Sequence, residues 1–241
     1  MKLPKSFVIA ATALASCMAA AEERHLFILS GQSNMQGLKE NTSVLPELKK
    51  LLPDADIQHT KYARGGQPIR KWVKTWDQIA RKHQLTQQFK DPSEFYDIVL
   101  KQAKAKIAEG KFDSITFLWM QGERDAKTGL AAAYEESMKT LIASLRRDLE
   151  TPKMNFVIGR LCDHLTHDQW NAVRNAQVKV ANDDPKGAWA DTDDTNDKER
   201  NGKTWNDLHY TAKGYELFGR RLARQAVKLL KGETPDTTGR P

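Results

Sequence analysis

Five short apolar runs recur along the chain, each followed by an amphipathic or polar stretch. The first, "HLFILSG" (25–31), is apolar without alternation and stops at Gly31. That is the signature of a strand buried on both faces. "IQHTKYA" (57–63) is a weaker strand, "DSITFLWMQ" (113–121) and "MNFVIGRL" (154–161) are strong ones, and "GAWADTD" (187–193) is the last. Helices fall between them. "PSEFYDIVLKQAKAKIAEG" has Pro92 near its start and Gly110 as its stop. Over 130–150, Tyr134, Met138, Leu141, Ile142, Leu145 and Leu149 share one helical face. Residues 170–183 and 212–232 read as two more helices, the last with Tyr215, Phe218, Leu222, Ala226 and Leu229 as its buried stripe. The tail "GETPDTTGRP" (232–241) is expected to be disordered.

Strands alternating with helices predict an α/β fold, with a mostly parallel sheet of about five strands covered on both faces. Ligands of such sheets bind at the carboxyl ends of the strands, beside the topological switch point. Ser33, Gly65, Gly66, Gln121 and Glu123 all follow predicted strand ends. Residues 63–93 form the longest irregular region, and loops of that length are usually functional or disordered. Two readings are open for its Trp72 and Trp76: local packing, or an aromatic wall for a sugar ring.

The first residues stand apart from this pattern. Lys2 and Lys5 precede an apolar segment from Phe7 to Ala15 and then small residues, so residues 1–21 read as a secretory signal. "LASC" (14–17) resembles a bacterial lipoprotein box that would leave Cys17 lipidated. "AAA" (19–21) suits ordinary cleavage before Glu22. Both imply an exported protein, periplasmic, secreted or lipid-anchored at the cell envelope. Residues 22–231 then form a single domain.

At 39% hydrophobic and 29% charged residues, the composition is that of a soluble globular chain. The formal charge of +7 drops to +5 when residues 1–21, with two lysines and no acid, are removed. That excess favours anionic substrates. Without an arginine-rich run or a nucleic-acid motif, it does not indicate nucleic acid. Cys162 has no partner for a disulfide and reads as a buried structural thiol. "DHLTH" (163–167) spaces His164 and His167 poorly for a metal. "DTDDTND" (191–197) has the acids of a calcium loop but lacks its glycine, and reads as a polar strand-end loop.

Ser33, between Gln32 and Asn34, is either a turn residue or a nucleophile. A nucleophilic serine needs a base, a group that orients the base, and donors for the oxyanion. The candidate base is His209 in "TWNDLHYTAKGY". "GQSNM" has Met35 where a Gly-x-Ser-x-Gly elbow needs glycine. An early serine and a late histidine also differ from the chain order of α/β-hydrolases, chymotrypsin-like and subtilisin-like enzymes.

"SGQSNMQG", "ARGGQPIRKW", "FLWMQGERDA" and "DLHYTAKGY", in that order, resemble the conserved blocks of the SGNH (GDSL-type) hydrolase superfamily. The nearest branch is that of sialate O-acetylesterase-like and acetylxylan-esterase-like carbohydrate esterases. The resemblance spans nearly all of the chain after the signal. It implies a three-layer α/β/α sandwich of flavodoxin-like type and a serine esterase that needs no metal or cofactor. By that resemblance Ser33 is the nucleophile and His209 the general base. The N–H of Ser33, the N–H of Gly66 (with Gly65 next in preference) and the side chain of Gln121 would hold the oxyanion. Gln32 and Asn34 beside the serine, with Arg64, Trp72, Arg124 and Trp205, form the expected substrate-binding set, with Trp76 and Arg70 as further candidates.

One block departs from the superfamily pattern. Asn206 stands three residues before His209, where an aspartate is usual, and Asp207 stands two before it. The acid that orients His209 is therefore either Asp207 or Glu123 of "QGERD", with Glu123 preferred. The expected function is removal of O-acetyl groups from a carbohydrate, neutral or anionic, with membrane contact only through a lipid anchor. A general short-chain carboxylesterase and a catalytically impaired glycan-binding lipoprotein are the alternatives.

Overall fold

The computed structural model describes residues 22–86 and 93–241; the signal segment and its Cys17 lie outside the described residues. In chain order the strands and α-helices are β1 (Arg24–Gly31), α1 (Ser33–Gly37), α2 (Val44–Leu51), β2 (Asp56–Ala63), α3 (Trp76–Lys82), α4 (Glu94–Ile107), β3 (Ser114–Met120), α5 (Glu123–Lys127), α6 (Tyr134–Asp148), β4 (Asn155–Gly159), α7 (Asp168–Asn182), β5 (Gly187–Ala190), β6 (Asp197–Arg200), β7 (Lys203–Asn206) and α8 (Ala212–Leu230). Strands β1 to β5 form one parallel sheet in the order β2-β1-β3-β4-β5. The five strands and four long helices follow the apolar periodicity closely.

Right-handed crossovers explain the layers. The chain moves from β1 to β2 in one direction, then returns past β1 to β3, β4 and β5 in the other. A fixed crossover hand therefore puts α2 on one face and α4, α6 and α7 on the other. Helix α8 packs on α2 and across β4 and β5, completing the first face. Phe27, Leu29, Phe117, Trp119, Phe156 and Ile158 are buried in the central strands, as continuous apolar runs require.

Two expectations change here, Trp72 as a substrate contact and the disordered tail. Residues 69–80 are not a sugar-binding wall. Ile69, Trp72, Val73, Trp76, Ile79 and Ala80 are all buried, spaced as one helical face through a 3-10 turn (Ile69–Trp72) and α3. Trp72 meets Phe95 and Trp119 edge-on, with centroids 5.0 and 5.2 Å apart, and its Nε1 donates to Ser30 Oγ at 2.9 Å. Trp72 and Trp76 are core residues, unavailable to a substrate.

The tail, expected to be disordered, instead lies against β5 and α8. Asp191 N–H donates to the Gly239 carbonyl, and Gln225, fully buried, exchanges hydrogen bonds with the Asp236 main chain. Its polar composition conceals these fixed partners. The acidic segment 191–194 is paired with arginines. Arg160 reaches Asp191 and Asp193, Arg174 grips Asp193, Arg221 pairs with both oxygens of Asp194, and Arg240 of the tail approaches Asp191. Residues 197–206 form an antiparallel hairpin not predicted from the apolar pattern.

Candidate active site

The site forms at the carboxyl ends of β2, β1 and β3, where the strand order reverses. Register carries it there: Gly31 pairs with both Ala63 and Met120, so the segments that follow all three strands emerge side by side. Gly31 has φ +145°, and a Cβ there would lie 1.9 Å from the Met120 carbonyl oxygen. Only glycine permits this turn. Gln32 N–H then donates to Met120 O at 2.9 Å, and Ser33 opens α1, half-buried. Its N–H lies in the first turn, where the helix offers no acceptor.

Gly65, not Gly66, is the glycine against Ser33. A Cβ on Gly65 would sit 3.6 Å from Ser33 Cβ, and its N–H donates to Gln36 Oε1 at 2.8 Å. Gly66 faces Arg124 instead, its carbonyl accepting from Arg124 Nε at 2.8 Å. Arg64 and Arg124 are both exposed on this rim.

Gln121 is not placed as an oxyanion donor. It is fully buried, and its Nε2 donates to Gln67 O (3.0 Å) and Asp125 Oδ2 (2.5 Å), with Gln32 Oε1 at 3.3 Å. Its amide hydrogens are thereby committed to bracing the 64–69 loop. Asp125 adds to that brace by accepting Ile69 N–H at 3.0 Å. Burial pushes the Asp125 carboxyl up to about 7.

Gln32 and Asn34, expected to touch substrate, are buried as well. Gln32 Oε1 accepts from Arg124 N at 3.3 Å. Asn34 Nδ2 donates to Glu123 Oε1 at 3.0 Å and to the Leu208 carbonyl at 3.1 Å, while its Oδ1 accepts from Tyr215 Oη at 3.1 Å. One amide thus joins the serine turn, the acid on α5, the loop that carries His209, and α8. Gln36, Asp125 and Tyr215 escaped the sequence reading of the site. Their residue types are common in turns and helices, and only their partners mark them.

The two candidate acids are used differently. Glu123 is 1% exposed; Oε1 takes the Asn34 bond and Oε2 is buried with no hydrogen-bond partner. Desolvation pushes its carboxyl up to about 7. Asp207 Oδ1 accepts the main-chain N–H of His209 at 3.0 Å, and Oδ2 meets Lys198 Nζ at 3.0 Å and Trp205 Nε1 at 3.3 Å. Those donors hold Asp207 down at about 2. His209 is exposed, and among the described residues no carboxylate stands within ion-pair distance of its ring. Asn206, in the place of the usual aspartate, donates to Asp163 and accepts from Asn196, which holds the loop. Trp205 is 41% exposed, the one large apolar side chain so exposed among the described residues.

Elsewhere, Cys162 is buried and its thiol is pushed up to about 12 by that burial. His167 caps α7, its ring accepting from Trp170 N, and His164 approaches the Asn206 carbonyl. Among the described residues no cluster of three or more His, Cys, Asp or Glu could hold a metal. No described helix is long and apolar enough to cross a membrane.

A parallel five-stranded sheet between two helical layers, with a serine turn after β1 at the switch point, defines an SGNH-type α/β hydrolase fold. The family model described as "Carbohydrate esterase, sialic acid-specific acetylesterase" matches residues 47–228, and the chain belongs to that family. The matched segment starts downstream of Ser33. Three solved structures share the fold. A protein from Arabidopsis thaliana is 19% identical at a TM-score of 0.63, with 85% of this chain and 98% of that one covered. A carbohydrate acetylesterase from Xanthomonas citri is 17% identical at 0.62, covering 87% and 57%. NanS is 13% identical at 0.59, covering 87% and 97%. No curated protein sequence matches the chain.

Proposed function

We propose that this protein is an exported serine esterase that removes O-acetyl groups from carbohydrates through an acetyl-enzyme on Ser33. The observation that carries the reading is the Asn34 bridge, which gathers the Ser33 turn, Glu123 and the His209 loop at the switch point. The His209 ring turns inward and takes the Ser33 Oγ proton as the oxygen attacks the ester carbonyl. The oxyanion rests on Ser33 N–H and Gly66 N–H, since Gly65 N–H is held by Gln36 Oε1. The sugar hydroxyl leaves with the proton from His209. Water, deprotonated by His209, then releases acetate by the same route. Glu123, through Oε2, is the carboxylate that stabilises the imidazolium. Asp207 fixes the main chain of the histidine loop.

Arg64 and Arg124 on the rim favour an acetylated glycan that carries carboxylate or sulfate groups. Acetate release is to be measured over acetylated sialic acid, acetylated xylan and acetylated sulfated glycans, with Ser33→Ala as the blank. Release from at least one of them, abolished in a folded Ser33→Ala, supports the esterase. Salt-independent, equal rates on neutral and anionic substrates would remove the anionic preference. The exposed His209 ring without a carboxylate partner favours the second reading, a glycan-binding protein without turnover. Glycan binding without any acetate release would establish it. Export is tested at the N-terminus of the mature protein: a chain that begins at Glu22, or one with an acylated Cys17, supports it, and retained residues 1–21 oppose it.

A further inference from the structure

The β6–β7 hairpin is built around Asn201–Gly202, with φ +53° and +70°, as a tight hairpin turn requires. Its register pairs Asp197 with Asn206, Lys198 with Trp205, Glu199 with Thr204 and Arg200 with Lys203. Directly opposed residues share a face and successive residues alternate. One face therefore carries Lys198, Arg200, Lys203 and Trp205; the other carries Asp197, Glu199, Thr204 and Asn206.

The chain position of His209 orients the first face. Lys198 Nζ and Trp205 Nε1 both reach Asp207 Oδ2, and the other oxygen of that carboxylate holds the His209 main chain. The cationic and aromatic face is thus tied to the histidine loop. Asn206, on the opposite face, is bound to Asn196 and Asp163 of the domain. Arg200 and Lys203 are exposed and make no ion pair among the described residues. A fold that sorts its cations and an exposed tryptophan onto one side of a hairpin, and its acids onto the other, has a surface suited to an anionic sugar. The indole offers a flat apolar platform for a ring, and the unpaired cations meet its charge.

We propose that the Lys198, Arg200, Lys203 and Trp205 face of the hairpin is a subsite for an anionic sugar ring of the glycan chain, adjacent to the residue whose acetyl group is removed. The proposal rests on the carbohydrate-esterase reading above and adds the element that selects a charged polymer. Trp205 stacks on the ring, and Arg200 and Lys203 hold its carboxylate or sulfate.

The test uses the full chain and four esters: acetylated oligogalacturonate, an acetylated sulfated oligosaccharide, acetylated xylo-oligosaccharide and 4-nitrophenyl acetate. Trp205→Ala is expected to lower kcat/KM about tenfold more on the anionic oligosaccharides than on 4-nitrophenyl acetate, mainly through KM. Trp205→Phe, which keeps a ring but loses the bond to Asp207, is expected to retain most of that preference. The double variant Arg200→Gln/Lys203→Gln is expected to weaken the two anionic oligosaccharides and leave the neutral one ahead. The arm with the larger loss separates carboxylate from sulfate recognition. An equal fall on all four esters in both Trp205 variants would overturn the proposal, because the tryptophan would then only brace Asp207. Failure of the esterase reading is separately visible as no turnover of any ester by the unsubstituted protein. In that case calorimetry with unacetylated oligogalacturonate and sulfated oligosaccharide decides: hairpin-dependent binding sustains the subsite, and its absence removes it.

Discussion

Asn34 Nδ2 lies 3.0 Å from Glu123 Oε1, and both side chains are withdrawn from solvent. The same nitrogen holds Leu208 O, one residue before His209. The amide that follows the serine is therefore a strut between the serine turn, α5 and the histidine loop. Asn34→Ala strands the Glu123 carboxylate without its donor. It is expected to cost about 1–3 kcal/mol in urea unfolding and to lower acetate release. An unchanged unfolding midpoint would show that the bridge carries no load.

The two candidate acids, Glu123 and Asp207, are separable by amide substitution. With Glu123 as the acid, Glu123→Gln is expected to reduce kcat by roughly a thousandfold to ten-thousandfold, the scale seen when a triad carboxylate becomes an amide. Asp207→Asn, which touches the histidine main chain, is expected to cost less than about tenfold. The reverse ranking would assign the acid to Asp207.

Glu123 also gives stability a pH dependence of defined sign. Its carboxyl is raised from 4.5 to about 7 by desolvation. Between those values the folded chain holds the proton that the unfolded chain has lost, so this group's contribution to stability falls as pH rises. Glu123→Gln has no such group. Its stability relative to the unsubstituted protein should rise across that window and level off above about pH 7, by an amount on the order of 3 kcal/mol. Urea unfolding at about pH 5, 6, 7 and 8 reads this. A difference that stays flat across the series contradicts a raised carboxyl.

The aspartates of segment 191–194 are neutralised by arginines and closed over by the tail. Deletion of residues 236–241 removes Arg240 and the main-chain partner of the buried Gln225 amide. A loss of about 1–3 kcal/mol is expected, most of it from that amide, since exposed ion pairs contribute little. Added calcium is expected to leave the melting temperature of the full chain unchanged. A calcium-dependent rise would assign metal binding to the acidic segment.

Much of the architecture is legible because its signals are local. Continuous apolar runs located β1, β3 and β4, with Gly31 marking the end of β1, and one-sided stripes located α6 and α8. Within residues 63–93, Ile69, Trp72, Val73, Trp76, Ile79 and Ala80 have helical spacing that the basic residues between them mask, which left packing and sugar contact both open for the two tryptophans. The β6–β7 hairpin had a signal too: Asn201–Gly202 is a strong two-residue turn, but its flanks are charged rather than alternately apolar. The tail gave no such sign, since polar residues that bind fixed main-chain partners read like solvated ones.

The candidate site divides along the same line. Order and identity along the chain single out Ser33 and His209 as candidates and leave the acid between Glu123 and Asp207, because a nucleophile, a base and an acid require particular side chains. They are not enough to assign the neighbouring polar residues. Gln32, Asn34 and Gln121 are as suited in composition to a substrate as to a buried strut. The choice rests on which donors and acceptors the three strand ends bring within about 3 Å, and buried amides must satisfy those partners first. Sequence alone determined the sheet, the serine turn and the chemistry available. Only tertiary structure decided that these amides brace the site, that Trp72 belongs to the core, and that Trp205 stands exposed beside the histidine loop.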